Sequence, residues 1–130
     1  MQTPFFELER VHRAAKEQNV RLTRKRCLDH LTPLLHGYER CLRFAAEVAG
    51  SLTLDDFSET VRMPSGEPFD VYGVRLSDGL AGKYGLTARR AWYLKLTVED
   101  DGAGESVFYL SLHAPERPIY RNGGILVPEP

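Results

Sequence analysis

Cysteine is scarce in this chain: the 130 residues hold two, Cys27 and Cys41, together with one Trp and two Met. Cysteines 14 positions apart on helical-looking segments form neither a CxxC metal pair nor a disulfide framework, so both are expected as buried thiols. Long apolar runs are missing too. No uncharged stretch approaches the roughly 20 residues needed to cross a bilayer. The opening residues MQTPFFELER lack the basic segment and apolar core of a secretory signal. A cytoplasmic chain without membrane contact is the expectation. Nor is there an excess of one charge: 17 basic against 18 acidic residues leave a formal net charge of −1. Attraction of the whole molecule to a polyanion is excluded, and any nucleic-acid site has to be a local patch.

What is present fits one globular domain over 1–130, with 42% hydrophobic residues and no repetitive tract. Thr3-Pro4 is a helix-opening signal, followed by Phe5, Leu8, Val11 and Ala15 at helical spacing, which predicts a helix over about 4–19. A short helix over 24–31 follows. Thr32-Pro33 repeats the opening signal for a third helix that reaches about residue 49, and Gly37 weakens its first turn. Thr53 and Asp56 form a variant capping box, predicting a further short helix that carries Phe57. After a loop over 63–68 come β-rich runs at 69–76, 91–99 and 106–112. Helices to about residue 60, strands over about 69–113 and a tail over 114–130 describe an α+β fold, with N-terminal helices packed on a small twisted antiparallel sheet.

The last two runs alternate, which assigns faces. Trp92, Leu94, Leu96 and Val98, with Phe108, Leu110 and Leu112, form the core side. A turn centred on residue 103 pairs residues whose numbers sum to 206, setting Tyr93 opposite His113, Lys95 opposite Ser111 and Thr97 opposite Tyr109 on the polar side. The outer face of an antiparallel sheet is commonly polar. A phenol, an ammonium, a hydroxyl and an imidazole on one rigid hairpin nevertheless suit phosphodiester chemistry. Cleavage of RNA needs a base, a cation for the phosphorane charge and an acid for the leaving oxygen. His113 is the candidate acid–base group, Lys95 the charge stabiliser and Tyr93 a donor or a stacking surface. Arg117 and Tyr120 follow close behind, and Arg121 reads as part of an exposed tail.

Elsewhere the signals are weaker. The 77–90 segment carries Gly79, Gly82 and Gly85 with Lys83, Arg89 and Arg90, but has Ser77 and Tyr84 where a phosphate-cradling P-loop needs Gly and Ser/Thr, so it reads as a mobile surface loop. Arg21, Arg24, Lys25 and Arg26, with His12 and Arg13 nearby, are the densest basic stretch, read as a solvated helix face or a partner patch. His12, His30 and His36 have no metal-ligand spacing, and neither a metal nor a cofactor is expected.

Several strings in order resemble the motility quorum-sensing regulator family of ribonuclease toxins, which has a RelE-like fold. They are Val20 to Thr23 (VRLT), Leu52 to Phe57 (LTLDDF), Asp70 to Tyr72 (DVY), Tyr93 to Val98 (YLKLTV) and Ser111 to His113 (SLH), spread over about residues 20–113. The resemblance implies a metal-independent toxin that cleaves single-stranded messenger RNA and is neutralised by a cognate antitoxin. The family's catalytic Tyr falls on Tyr93 and its catalytic Lys on His113. Its Lys after Asp-Phe-Tyr falls on Glu59, and its Gln before Asp-Val-Tyr falls on Phe69. Lys95, Arg89, Arg90, Arg117 and Tyr120 are the candidate RNA contacts. The competing expectation is a catalytically inert module on the same fold that binds another protein through the 77–90 segment and the acidic positions.

Overall fold

A computed structural model describes residues 1–23, 25–102 and 104–129. The chain is α+β. It contains α1 (Leu8–Lys16), β1 (Val20–Leu22), α2 (Lys25–Leu35), α3 (Tyr38–Ser51), β2 (Phe57–Arg62), β3 (Pro68–Arg75), α4 (Asp78–Tyr84), β4 (Ala91–Asp100), β5 (Glu105–His113), β6 (Ile119–Arg121) and β7 (Gly124–Leu126). Five strands form one sheet in the order β1-β5-β4-β3-β2, and β6 pairs with β7 in a separate hairpin. The main sheet is mixed rather than antiparallel, because β1 runs parallel to β5 with Val20, Arg21 and Leu22 opposite Val107, Phe108 and Tyr109. A run of three residues is too short to give a strand signal, and only the pairing with β5 makes it one.

One face of the sheet carries the main core. Val11, Leu31, Leu35, Phe44, Ala45 and Val48 from the helices pack with Tyr72, Leu94, Leu96, Tyr109 and Leu112 from the strands. The helices differ from expectation at their ends. The first begins at Leu8 because the amides of Phe5 and Phe6 donate to the buried Asp70 carboxylate at 3.0 and 2.9 Å instead of opening a helix. The second runs through Pro33 to Leu35 and breaks at His36 and Gly37, so Thr32-Pro33 opens nothing. Pro33 has no N–H to give the Asp29 carbonyl, and the helix ends two residues later. Arg40 closes that end, donating from Nε to the Leu35 carbonyl at 2.9 Å. The capping box of Thr53 and Asp56 is present but holds only a 3-10 turn, Leu54–Asp56, after which Phe57 opens β2.

The 77–90 segment is not an unstructured loop. Ser77 accepts from the Leu80 amide to start α4, Gly85 ends it in the left-handed region at φ 67, and Ala81 and Tyr84 are buried in the core. The tail is folded as well. Ile119 and Leu126 of the β6–β7 hairpin pack with Ala91 on the second face of the sheet, over Gly73. A Cβ on Gly73 would stand 2.9 Å from Ile119 Cδ1 and 3.1 Å from Leu126 Cδ2, so the glycine is what lets the hairpin lie down. Arg121, expected in an exposed tail, is half-buried and donates to the Gly73 carbonyl at 3.1 Å while pairing with Asp56 at 3.4 Å.

The alternation along β4 holds, with Trp92, Leu94, Leu96 and Val98 buried. Along β5 it holds only at the end. Tyr93 faces His113, Leu94 faces Leu112 and Lys95 faces Ser111, but Leu96 then faces Tyr109 and Thr97 faces Phe108. Leu110 has no partner, and this β-bulge moves the alternation by one residue. Val107 and Tyr109 therefore fill the core in place of Phe108 and Leu110, and the Tyr109 hydroxyl donates to the Ala45 carbonyl at 2.7 Å.

Two substitutions test this packing. Gly73→Val is expected to lower stability by about 1–3 kcal/mol through overpacking and to make the segment after His113 the first site of limited proteolysis; an unchanged cleavage pattern would show the hairpin does not depend on the close approach. Asp70→Ala strands three donors, the amides of Phe5 and Phe6 and the Thr60 hydroxyl. A loss of about 2–3 kcal/mol in urea unfolding is expected.

Candidate active site

The bulge sets the geometry of the open sheet face. Two rows of paired residues cross it: Glu59, Val71, Lys95 and Ser111 on β2, β3, β4 and β5, then Gly73, Tyr93 and His113. With adjacent strands about 4.8 Å apart, Glu59 and Lys95 are separated by the width of Val71, roughly 10 Å. These rows floor a cleft of about 610 Å³. The segment 116–120, with Arg117 and Tyr120, forms one wall, and Arg26 from α2 stands at the far side.

The rings of Tyr93 and His113 stack with centroids 5.3 Å apart and planes at 23°. Beyond them His30 continues the series, 5.2 Å from His113. His113 Nδ1 lies 2.7 Å from the Ala114 carbonyl, which can only accept, so Nδ1 is the donor. That leaves Nε2 of the neutral ring as the atom that takes up a proton. Burial raises the Tyr93 phenol above its ordinary pKa; the Glu59 carboxylate adds to the rise and the Arg117 guanidinium opposes it. The phenol is therefore protonated at neutral pH and available as a donor.

The cations divide into two groups. Arg10, Arg13, Arg21, Arg75, Lys83, Arg89 and Arg121 are held by carboxylates. Among the described residues Lys16, Lys25, Arg26, Arg40, Arg43, Arg62, Arg90, Lys95 and Arg117 have no ion pair, and of these Arg26, Lys95 and Arg117 line the cleft. The structure thus brings Tyr93, Lys95, His113, Arg117 and Tyr120 together. It does not bring Arg89, whose guanidinium is 3.3 Å from Asp78 in solvent. Arg90 lines a neighbouring cavity of about 270 Å³ that shares His113 with the cleft and is also lined by His30 of α2. Of the positions where the toxin family has other residues, Glu59 is in the cleft and Phe69, paired with Val61, is not.

Arg26 and His30 were not legible as site residues. They lie four apart on α2, a spacing that puts them on one face, and that face lies against Leu110–His113, where β5 has run out of β1. Of the basic stretch at 21–26, Arg24 lies outside the described residues; among the others Arg21 is tied to Asp101 at 3.3 Å and Arg26 reaches the cleft.

No family model, curated protein or solved structure matches the chain. Among the described residues no group of three His, Cys, Asp or Glu is placed to hold a metal ion, and no helix is long and apolar enough to cross a membrane.

The Tyr93 environment gives a direct check. Glu59→Gln is expected to move the Tyr93 titration to lower pH, since it removes a negative charge that opposes the phenolate, and Arg117→Ala to move it higher. Carbon NMR of the tyrosine Cζ signals measures both; a shift of the same sign in the two variants would contradict the assigned fields.

Proposed function

We propose that this protein is a RelE-like, metal-independent endoribonuclease of the toxin type, acting in the cytoplasm on single-stranded RNA. One observation carries the reading: an imidazole whose Nδ1 is committed to a carbonyl stacks on a protonated phenol, one row from an ammonium with no ion pair, in an open cleft. The resemblance to the motility quorum-sensing regulator family supports it at the same two positions, Tyr93 and His113.

In this reading His113 Nε2 removes the proton of a ribose 2′-hydroxyl, and the 2′-oxygen attacks the adjacent phosphorus. The charge of the phosphorane falls on Lys95 and Arg117, which are positioned for it before the reaction begins. As the bond from phosphorus to the 5′-oxygen breaks, Tyr93 donates to that oxygen, leaving a 2′,3′-cyclic phosphate and a free 5′-hydroxyl. Tyr120, largely exposed at the rim, offers a ring on which an unpaired base stacks. A cognate antitoxin would act by covering the cleft.

Glu59 and Glu116 in the same cleft favour a second reading, in which a catalytically inert module binds a protein partner there. Acidic side chains repel a phosphate backbone and suit a basic partner segment.

Growth and RNA integrity separate the two. The first reading predicts growth arrest on expression and cleavage of mixed-sequence single-stranded RNA in EDTA, with the rate falling by about 10²–10⁴-fold in His113→Ala and less in Tyr93→Phe. Intact RNA and normal growth with folded wild-type protein would overturn it in favour of the second.

A further inference from the structure

The 270 Å³ cavity beside the cleft differs from it in chemistry. Its walls are Leu34, Leu86 and Trp92, with Arg90, Thr87 and His30 as the polar groups, and among the described residues no carboxylate or carboxamide side chain lines it. Leu34 is 49% exposed there, a large aliphatic side chain left uncovered by the core. The cleft, in contrast, is lined by Glu59 and Glu116. The two spaces meet at His113, which lines both. A group held in the smaller cavity is therefore next to whatever His113 acts on.

Size and walls restrict the occupant. Sites that enclose a drug-sized molecule usually measure about 300–1,000 Å³, so this cavity accepts a planar ring system without its sugar and phosphate. Apolar walls with a few polar groups at the edge are how proteins hold a base turned out of a single strand. We propose that this cavity is the subsite for the nucleobase flanking the phosphate at His113, a step that rests on the ribonuclease reading.

The polar lining also selects among bases. Arg90 supplies only donors, and its guanidinium is not engaged by any carboxylate among the described residues. Guanine and uracil present carbonyl acceptors to such a fork, with guanine offering O6 and N7 side by side. Adenine and cytosine present an amino group instead, whose two-pronged partners Asn, Gln, Asp and Glu do not line the cavity among the described residues, which leaves it only the single acceptors of Thr87 and His30. The subsite therefore takes the keto bases, guanine and uracil, in preference to the amino bases.

The test uses the full chain and five probes: the four nucleoside monophosphates and, as a probe without a base, ribose 5-phosphate. Because Trp92 is the sole tryptophan, its indole N–H gives a single signal from a residue that lines the cavity, alongside the methyls of Leu34 and Leu86. GMP and UMP are expected to shift these signals at lower concentration than AMP and CMP, and ribose 5-phosphate to leave them in place. Arg90 is exposed, so Arg90→Gln is expected to fold and to move the preference toward AMP, since a carboxamide pairs with adenine. Equal shifts from ribose 5-phosphate, or shifts from all four nucleotides confined to residues of the cleft, would overturn the subsite. Cleavage separates this from the underlying reading. RNA cut with no preference beside the scissile bond, by a protein whose Trp92 ignores nucleotides, removes the subsite and leaves the nuclease. Nucleotide shifts at Trp92 in a protein that cuts no RNA remove the nuclease and leave a base-binding site.

Discussion

Leu110 has no partner across the β4–β5 ladder, and the rest of the molecule depends on that one unpaired residue. A strand sends alternate side chains to opposite faces, so an uninterrupted β5 would put Tyr109, Ser111 and His113 on the same side. The bulge separates them. Tyr109 enters the helical core and binds the Ala45 carbonyl, while Ser111 and His113 stay on the open face opposite Lys95 and Tyr93. The same strand therefore anchors α3 through one aromatic ring and completes the cleft through an imidazole three pairs further on. The change of phase coincides with the end of β1: Thr23 donates from both its amide and its hydroxyl to the Tyr109 carbonyl, and α2 takes over the edge from there. Arg26 and His30 reach the site through that gap.

The second face of the sheet is held by its flanking segments. Gly73 admits the β6–β7 hairpin there and Arg121 joins the hairpin to β3 and to the 3-10 turn, while Asp70, in register with Leu96 on the helix side, binds the start of the chain. Only the part that these segments leave uncovered is a cleft, and its rim carries both cations and acids. This mixed rim agrees with the near-neutral charge of the chain: seven basic side chains are consumed in ion pairs, while the cations of the cleft are not.

The parts of this arrangement that could be read from the sequence are those set by short-range alternation. Tyr93 opposite His113 and Lys95 opposite Ser111 followed from two alternating runs and a turn, and these pairs lie nearest the site. Thr97 opposite Tyr109 did not survive, because a bulge has no residue type of its own and Leu110 looks like any strand leucine. The strands β1, β2, β6 and β7 were missed for a related reason: they are short or irregular, and they become strands through neighbours distant in sequence. The 77–90 segment looked like a loop because three glycines outweighed a serine cap, yet Ala81 and Tyr84 bury enough surface to hold a helix. Pro33 misled in the opposite direction, as a proline that starts helices in general but here ends one. His30 was discounted for lacking metal-ligand spacing, and its contact with His113 is purely tertiary.

The wall formed by residues 116–120 has a consequence for the order in which this protein is made. A ribosome delivers Tyr93, Lys95 and His113 before it delivers Arg117 and Tyr120, and the hairpin that seats them on Gly73 comes later still. A growing chain therefore owns the floor of the cleft while one side of it is still being synthesised. The finished site exists only when Leu126 has emerged to close over β3, so assembly of the cleft waits for the β6–β7 hairpin rather than following from the folding of the sheet alone.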